Sequence, residues 1–164
     1  MDKNLYLLAE LDNELQIELK DLDKAILESG LVGKQTKDIP YHITLCSFSL
    51  DYEKYLFNLL DDVSKQFSKI DMTFSSLGLF GLKILFVSPD MNIELVNLYN
   101  YLKEKSLQKD DDLAAHVTLL IDDPENILKI LPKISAKFSR LTGKITSISM
   151  YEFFPKRFIK RIEL

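Results

Sequence analysis

Two stretches decide how this chain reads: Pro40-Tyr41-His42-Ile43-Thr44-Leu45 and Ala115-His116-Val117-Thr118-Leu119. They hold the only two histidines among 164 residues, and each histidine opens the same pattern, His-apolar-Thr-Leu. On a β-strand, residues i and i+2 project from one face, and i+1 and i+3 from the other. His42 and Thr44 therefore share a face, with Ile43 and Leu45 turned to the core, and His116 and Thr118 repeat this over Val117 and Leu119. A single His-x-Thr carries little information, because Thr is a good strand former. A lone imidazole on an apolar strand is more often a packing residue. Duplication separates the two readings. Threonine is scarce here, yet it follows both histidines at the same offset, with leucine after it each time. Imidazole gives or takes a proton near neutral pH, with an ordinary pKa of about 6.5. The pair therefore reads as a matched general acid and base.

Composition bounds the rest. The chain is domain-sized, and 46% hydrophobic with 28% charged residues is ordinary for a globular protein. No apolar run approaches the roughly 20 residues of a membrane span, so no membrane partner is expected. The apolar start, Leu5 to Ala9, is interrupted by Glu10 and Asp12 and has no small-residue cleavage site after it. It reads as a first strand rather than a signal peptide. The single cysteine, Cys46, allows no internal disulfide and suggests a reducing, cytoplasmic setting. Cys46 has the strand parity of His42 and Thr44, but it lies four residues along, about 13 Å away at roughly 3.3 Å per residue. A small packing role is expected for it. Two histidines and two threonines do not supply the three or four ligands of a zinc site, so neither metal nor cofactor is expected. The net charge of −4 argues against a broad basic face coating nucleic acid. It is compatible with a small phosphorylated substrate held by local donors.

The motifs lie nearly half a chain apart, and the pattern around them repeats. In the first half, a strand over Leu5 to Ala9 precedes a helix with Leu15, Leu19, Leu22 and Ile26 inward. Gly30 and Gly33 end that helix and open a loop with Lys34, Gln35, Thr36, Lys37 and Pro40. After the first motif strand, Asp51 is expected to cap a helix burying Leu56, Leu59, Leu60, Val63 and Phe67. The second half has an alternating strand at Ile70, Met72 and Phe74, a turn over Leu77 to Gly81, and an apolar strand over Ile84 to Val87. A helix starting between Pro89 and Asn92 then turns Leu95, Val96, Tyr99 and Leu102 inward. A polar loop, Gln108 to Asp112, precedes the second motif strand. Asp123-Pro124-Glu125 opens a helix over Ile127, Leu128, Leu131 and Ile134, which Pro132 should kink or divide. Strands around Ile145 to Phe153 and Phe158 to Leu164 close the chain. The fold class expected is α+β, a pseudo-twofold duplicated β-α-β-α unit with antiparallel sheets facing a central cleft and helices outside. It is one domain over 1–164, with lobes at about 1–69 and 70–164.

On these motifs the chain resembles the two-histidine (2H) phosphoesterase superfamily, which includes bacterial RNA 2′-5′ ligase-like proteins and 2′,3′-cyclic phosphodiesterases. The likeness covers nearly the whole chain. It extends to the opening strand, Leu85-Phe86-Val87 and Ile148-Ser149-Met150-Tyr151-Glu152. It implies a metal-independent site with His42 and His116 as catalytic acid and base, and with Thr44 and Thr118 binding the substrate phosphate. Two departures stand out: Ala115 where many relatives have Pro, and Ile121 near where many carry Arg.

The chemistry suits these residues. Opening a cyclic phosphodiester needs a base for water, an acid for the departing ribose oxygen, and donors for the phosphoryl oxygens. Attack and departure are roughly in line, so acid and base stand on opposite sides of phosphorus. The expected activity is a cyclic phosphodiesterase or 2H phosphoesterase, acting on a 2′,3′-cyclic phosphate or 2′-5′ phosphodiester of RNA or a small nucleotide. The protein is expected to be a monomer. Lys34, Lys37, Lys83 and Lys109 are nearby cations, and Phe80 and Tyr151 are aromatic residues able to stack a base. Surface solvation or core packing explains each of them as well. Tyr41 has the wrong parity to join His42. The alternatives are a non-catalytic nucleotide or RNA-end binding protein keeping the same pocket, and a metal-binding protein.

Overall fold

The computed structural model describes residues 3–105 and 112–164. Seven strands form one antiparallel sheet: β1 (Asn4–Leu11), β2 (His42–Ser49), β3 (Ile70–Phe80), β4 (Ile84–Pro89), β5 (Val117–Ile121), β6 (Leu141–Phe153) and β7 (Arg157–Glu163). Four helices intervene: α1 (Asn13–Glu28), α2 (Glu53–Gln66), α3 (Ile93–Lys105) and α4 (Pro124–Lys137). The class is α+β, as the alternation of patterns implied.

The strand order is β2-β1-β6-β3-β4-β5, with β7 also paired to β6. Strand β6 makes this order possible because it is 13 residues long. Leu141 to Ile145 pair with β3, whereas Ile145 to Phe153 pair with β1 and Ser147 to Glu152 with β7. The facing sheets expected from the sequence are thus two wings of one continuous sheet, joined along β6. β6 pairs with β1 and β7 pairs with the other edge of β6, so residues from the end of the chain complete the wing that carries the first motif. The two ends of the path, β2 and β5, touch each other. The sheet therefore curls until its motif strands meet.

Helices pack on only one face. Leu15, Leu19, Leu22, Ala25 and Ile26 of α1 join Leu56, Leu60 and Val63 of α2, Leu95, Leu98 and Leu102 of α3, and Ile127, Ile130 and Ile134 of α4 in a single core. The sheet contributes Leu5, Leu7, Ala9, Ile43, Leu85, Val87, Ile145 and Ile148 to it. The opposite face holds a small cluster of Leu8, Tyr151 and Phe153, covered by Tyr6 and Ile39. Burying the helical stripes on one side leaves the other side of the curled sheet for polar side chains.

Several boundaries differ from the sequence reading, each for a local reason. Asp51 lies in a 3-10 turn, Leu50–Tyr52, and α2 starts at Glu53 without a side-chain cap. Strand β3 runs on through the expected turn to Phe80, and the chain reverses at Gly81, which has φ of +55°. Leu98 rather than Val96 is buried in α3, whose first turn is closed by Asn92 Oδ1 accepting from Leu95 N–H at 3.0 Å. Helix α4 continues through Pro132. That residue is exposed, so the carbonyl it leaves unpaired can turn to water. Gln108 and Lys109 lie outside the described residues.

The two aspartates that precede helices do different work. Asp12 caps α1, accepting from Leu15 N–H at 2.9 Å with one oxygen and from Lys144 N–H at 2.7 Å with the other. It therefore ties the helix to β6. Asp123 begins α4 but makes no cap bond; its carboxylate meets exposed Lys34 at 2.6 Å. Asp12→Ala should cost about 1–2 kcal/mol in urea unfolding, the range of a lost cap. Asp123→Ala should cost less than about 1 kcal/mol, as surface ion pairs do. Equal losses would mean that the Asp12 tie contributes nothing special.

Candidate active site

Both motifs enter the ladder with the same irregularity. In β2, Thr44 pairs with Leu8 and Cys46 with Leu7, so Leu45 is skipped. In β5, Thr118 pairs with Phe86 and Leu120 with Leu85, so Leu119 is skipped. Each is a β-bulge at the leucine of His-x-Thr-Leu. A bulge inserts one residue, raises local twist and changes which face the following side chains meet. Both Thr hydroxyls therefore stay on the cleft face, while Leu45 and Leu119 are buried. The parity that seemed to align Cys46 with His42 is broken at Leu45. Cys46 packs instead against the helical core, where burial pushes its thiol up to about 11. Little thiolate forms there at neutral pH.

The imidazoles are held alike. Nδ1 of His42 donates to the carbonyl of Pro40 at 2.7 Å, and Nδ1 of His116 donates to that of Ala114 at 2.6 Å. A carbonyl only accepts, so each Nδ1 carries the hydrogen and each neutral ring keeps its lone pair on Nε2. Neither Nε2 bonds to any described residue. Both rings thus present the atom that exchanges protons.

Their surroundings differ. Burial holds the pKa of His42 below that of an ordinary imidazole, and charge on His116 pushes the same way. The Pro40 carbonyl and the Glu10 carboxylate oppose these effects. The two imidazoles are therefore close enough to sense each other. Glu10 lies directly across from His42 in the β1–β2 register. His116 is instead wedged against Phe80, edge-on at 4.7 Å between ring centroids, and Phe86, at 5.3 Å. Phe86 can lie there because Gly78, its partner on β3, has no side chain. A Cβ at position 78 would sit 2.3 Å from the Phe86 ring.

Other residues, not singled out by the sequence, support the strands. Gln16 accepts from Tyr41 N–H at 2.8 Å and donates to Tyr41 C=O at 2.8 Å, fixing the peptide just before His42. Gln35 does likewise at the second bulge, accepting from Ile121 N–H at 3.0 Å and donating to Leu119 C=O at 3.2 Å. On the cleft face Arg161 grips Glu10 with two bonds of 2.8 Å, and Ser147 reaches the same carboxylate at 3.2 Å. Glu10 was legible only as a charge ending an apolar strand. Its burial beside a histidine needed the register.

The expected accessory residues fare unevenly. Lys34 is paired with Asp123, Lys37 donates to the Val32 carbonyl, and Lys83 is exposed in the β3–β4 turn. Tyr151 is buried and stacked on Phe153, so its ring face is occupied. Phe80 stays 39% exposed against His116. Among the described residues no group of three or more His, Cys, Asp or Glu could hold a metal ion. No helix among them is long and apolar enough to cross a membrane.

The curled antiparallel sheet with its four helices matches the LigT fold. E. coli LigT complexed with 3′-AMP superimposes with a TM-score of 0.64 at 16% identity, over 99% of this chain and 97% of that one. E. coli LigT complexed with phosphate gives 0.63 at 17% identity with the same coverage. A solved phosphoesterase gives 0.61 at 16% identity over 100% of this chain and 99% of that one. By sequence, the chain matches no protein-family model and no curated protein.

The seat under His116 can be tested directly. Gly78→Ala forces Phe86 to move and should cost about 1–3 kcal/mol, as overpacking does. Ser76→Ala, exposed two residues earlier on β3, should stay within about 0.5 kcal/mol. Urea midpoints compare them, and an unchanged Gly78→Ala would show that the Phe86 seat gives way freely.

Proposed function

We propose that this protein is a metal-independent 2H phosphoesterase that opens a 2′,3′-cyclic phosphate or cleaves a 2′-5′ phosphodiester of RNA or a small nucleotide. One observation carries the reading: two His-x-Thr-Leu strands with the same bulge and the same Nδ1 clamp meet at the edges of one sheet. A core histidine does not need a partner with matched geometry, whereas proton transfer on both sides of a phosphorus does. The fold shared with E. coli LigT, solved with phosphate, 3′-AMP and NADP+, supports a small nucleotide as substrate.

In the mechanism, water attacks phosphorus while Nε2 of one histidine takes its proton. The bond from phosphorus to one ribose oxygen breaks, and the other histidine protonates that oxygen. Thr44 and Thr118 donate to the non-bridging oxygens as charge builds. We assign the base to His42, since burial favours its neutral form. His116 is then the acid.

His42→Ala or His116→Ala should lower turnover by about 10²-fold or more, with a smaller change in substrate affinity. The double variant should be little worse, because acid and base act as a unit. Thr44→Ala or Thr118→Ala should cost about 2.7–4 kcal/mol of transition-state stabilisation, as lost oxyanion donors do. The rate should follow a bell-shaped pH curve. Its acid limb tracks His42, which must be neutral. Because that group's pKa is depressed, activity should persist below the ordinary imidazole value and fall only as pH drops through the lower one. Turnover should also survive EDTA. Tight nucleotide binding with no turnover on a panel of cyclic and 2′-5′-linked phosphodiesters would make this a binding protein instead.

A further inference from the structure

The cleft face carries one buried ion pair that the mechanism above leaves without an essential part. Glu10 is 5% exposed, yet it is the only charged residue of β1, near the end of a strand rich in leucine. Both its oxygens are engaged by Arg161, through Nε and Nη2, and Ser147 adds a third bond. Purely structural pairs of this kind are often replaceable by apolar residues without loss of stability. The position of this one is more specific. Glu10 sits across from His42 on the cleft face, whereas His116, in the matching motif, has aromatic rings around it. Among the described residues, the anion therefore breaks the pseudo-symmetry of the site at one histidine only. Of the three arginines, Arg157 is held by Glu53 and Glu152, and Arg140 precedes β6 on an exposed stretch. Only Arg161 reaches Glu10.

We propose that Glu10, clamped by Arg161, is a positioning residue that works through His42, holding an anion beside the imidazole so that it can accept a proton within a buried site. The inference rests on the reading of His42 as a proton-transfer group. Among the described residues, the charged groups acting on His42 are Glu10 from β1 and His116 from the β5 side. Arg161, from β7, acts on Glu10, and Tyr151, from β6, lies beside Arg161. When His42 takes the proton of water it becomes a cation. Desolvation opposes that charge, and Glu10 offsets part of the cost. The arrangement resembles in logic a carboxylate behind a catalytic histidine, with one difference: Nδ1 is already held by a backbone carbonyl. Glu10 thus acts through its field and not by setting the tautomer. Arg161 orients the carboxylate with its two bonds and limits how strongly it pulls on the ring.

The signs of two substitutions separate this from a structural role. Glu10→Gln preserves shape but removes the anion, so the imidazole of His42, followed by NMR titration, should titrate at lower pH than in the parent. Arg161→Gln leaves the anion less balanced, so the same resonance should titrate at higher pH. Arg161→Lys keeps the cation and should lie between Arg161→Gln and the parent. In the rate profile, the acid limb should move in the same directions, with kcat falling more than KM changes for Glu10→Gln. Unmoved titration in either folded variant, or shifts of the same sign in both, overturns the proposal. Should one variant not fold, the sign of the other decides alone. The NMR readout needs no turnover, so an inactive parent protein would count against the proposed function while leaving this coupling measurable.

Discussion

A strand alternates its side chains strictly, and it can hold a hydroxyl in a cleft while burying two successive residues behind it only by breaking register. Both motif strands do this at the leucine that follows the threonine. The bulge turns the rest of the strand into the core, and the added twist suits an edge strand in a sheet that must curl. Without it, Cys46 and Leu120 would be displaced from the hydrophobic side. The glutamines that meet these strands, Gln16 ahead of the first motif and Gln35 at the second, satisfy backbone groups that an edge leaves unpaired.

The curl depends in turn on β6. A strand of ordinary length would pair with one neighbour on each side, but β6 is long enough to pass from β3 to β7 along one edge while β1 runs along the other. The helical core lies on one side of that sheet and requires four apolar stripes to cover it. The free side is left with a polar line of Glu10, Ser147 and Arg161 beside His42, and an aromatic pair beside His116. Duplicated motifs therefore occupy unequal surroundings. Under the proposed function, that inequality assigns opposite parts in proton transfer to identical residues, since the environment as well as the residue type sets how readily an imidazole takes a proton.

The periodicities were enough to place nearly every element. Leucine at helical spacing announced α1 and α2, and alternation announced β3, because burial on one face imposes those periods. Boundaries failed where a neighbour distant in sequence took over. Phe86 needs the bare backbone of Gly78, so β3 continues where Gly-rich sequence suggested a turn. Asp51 was a plausible cap, but a 3-10 turn displaced the helix start to Glu53.

The amino-acid sequence by itself determined the α+β class and singled out the two motif strands and His42, Thr44, His116 and Thr118, the four residues proposed to act on the substrate. All of these follow from local spacing, because a strand's faces are set by its own backbone. What only the tertiary structure decided is which residues surround them. Glu10 beside His42, Arg161 clamping Glu10 and Phe80 against His116 join residues from both ends and the middle of the chain. Cys46 left the cleft for the core for the same reason: a bulge is visible only when a partner strand supplies the register. Pairing across a sheet depends on how the whole chain closes, and no window of sequence contains that information.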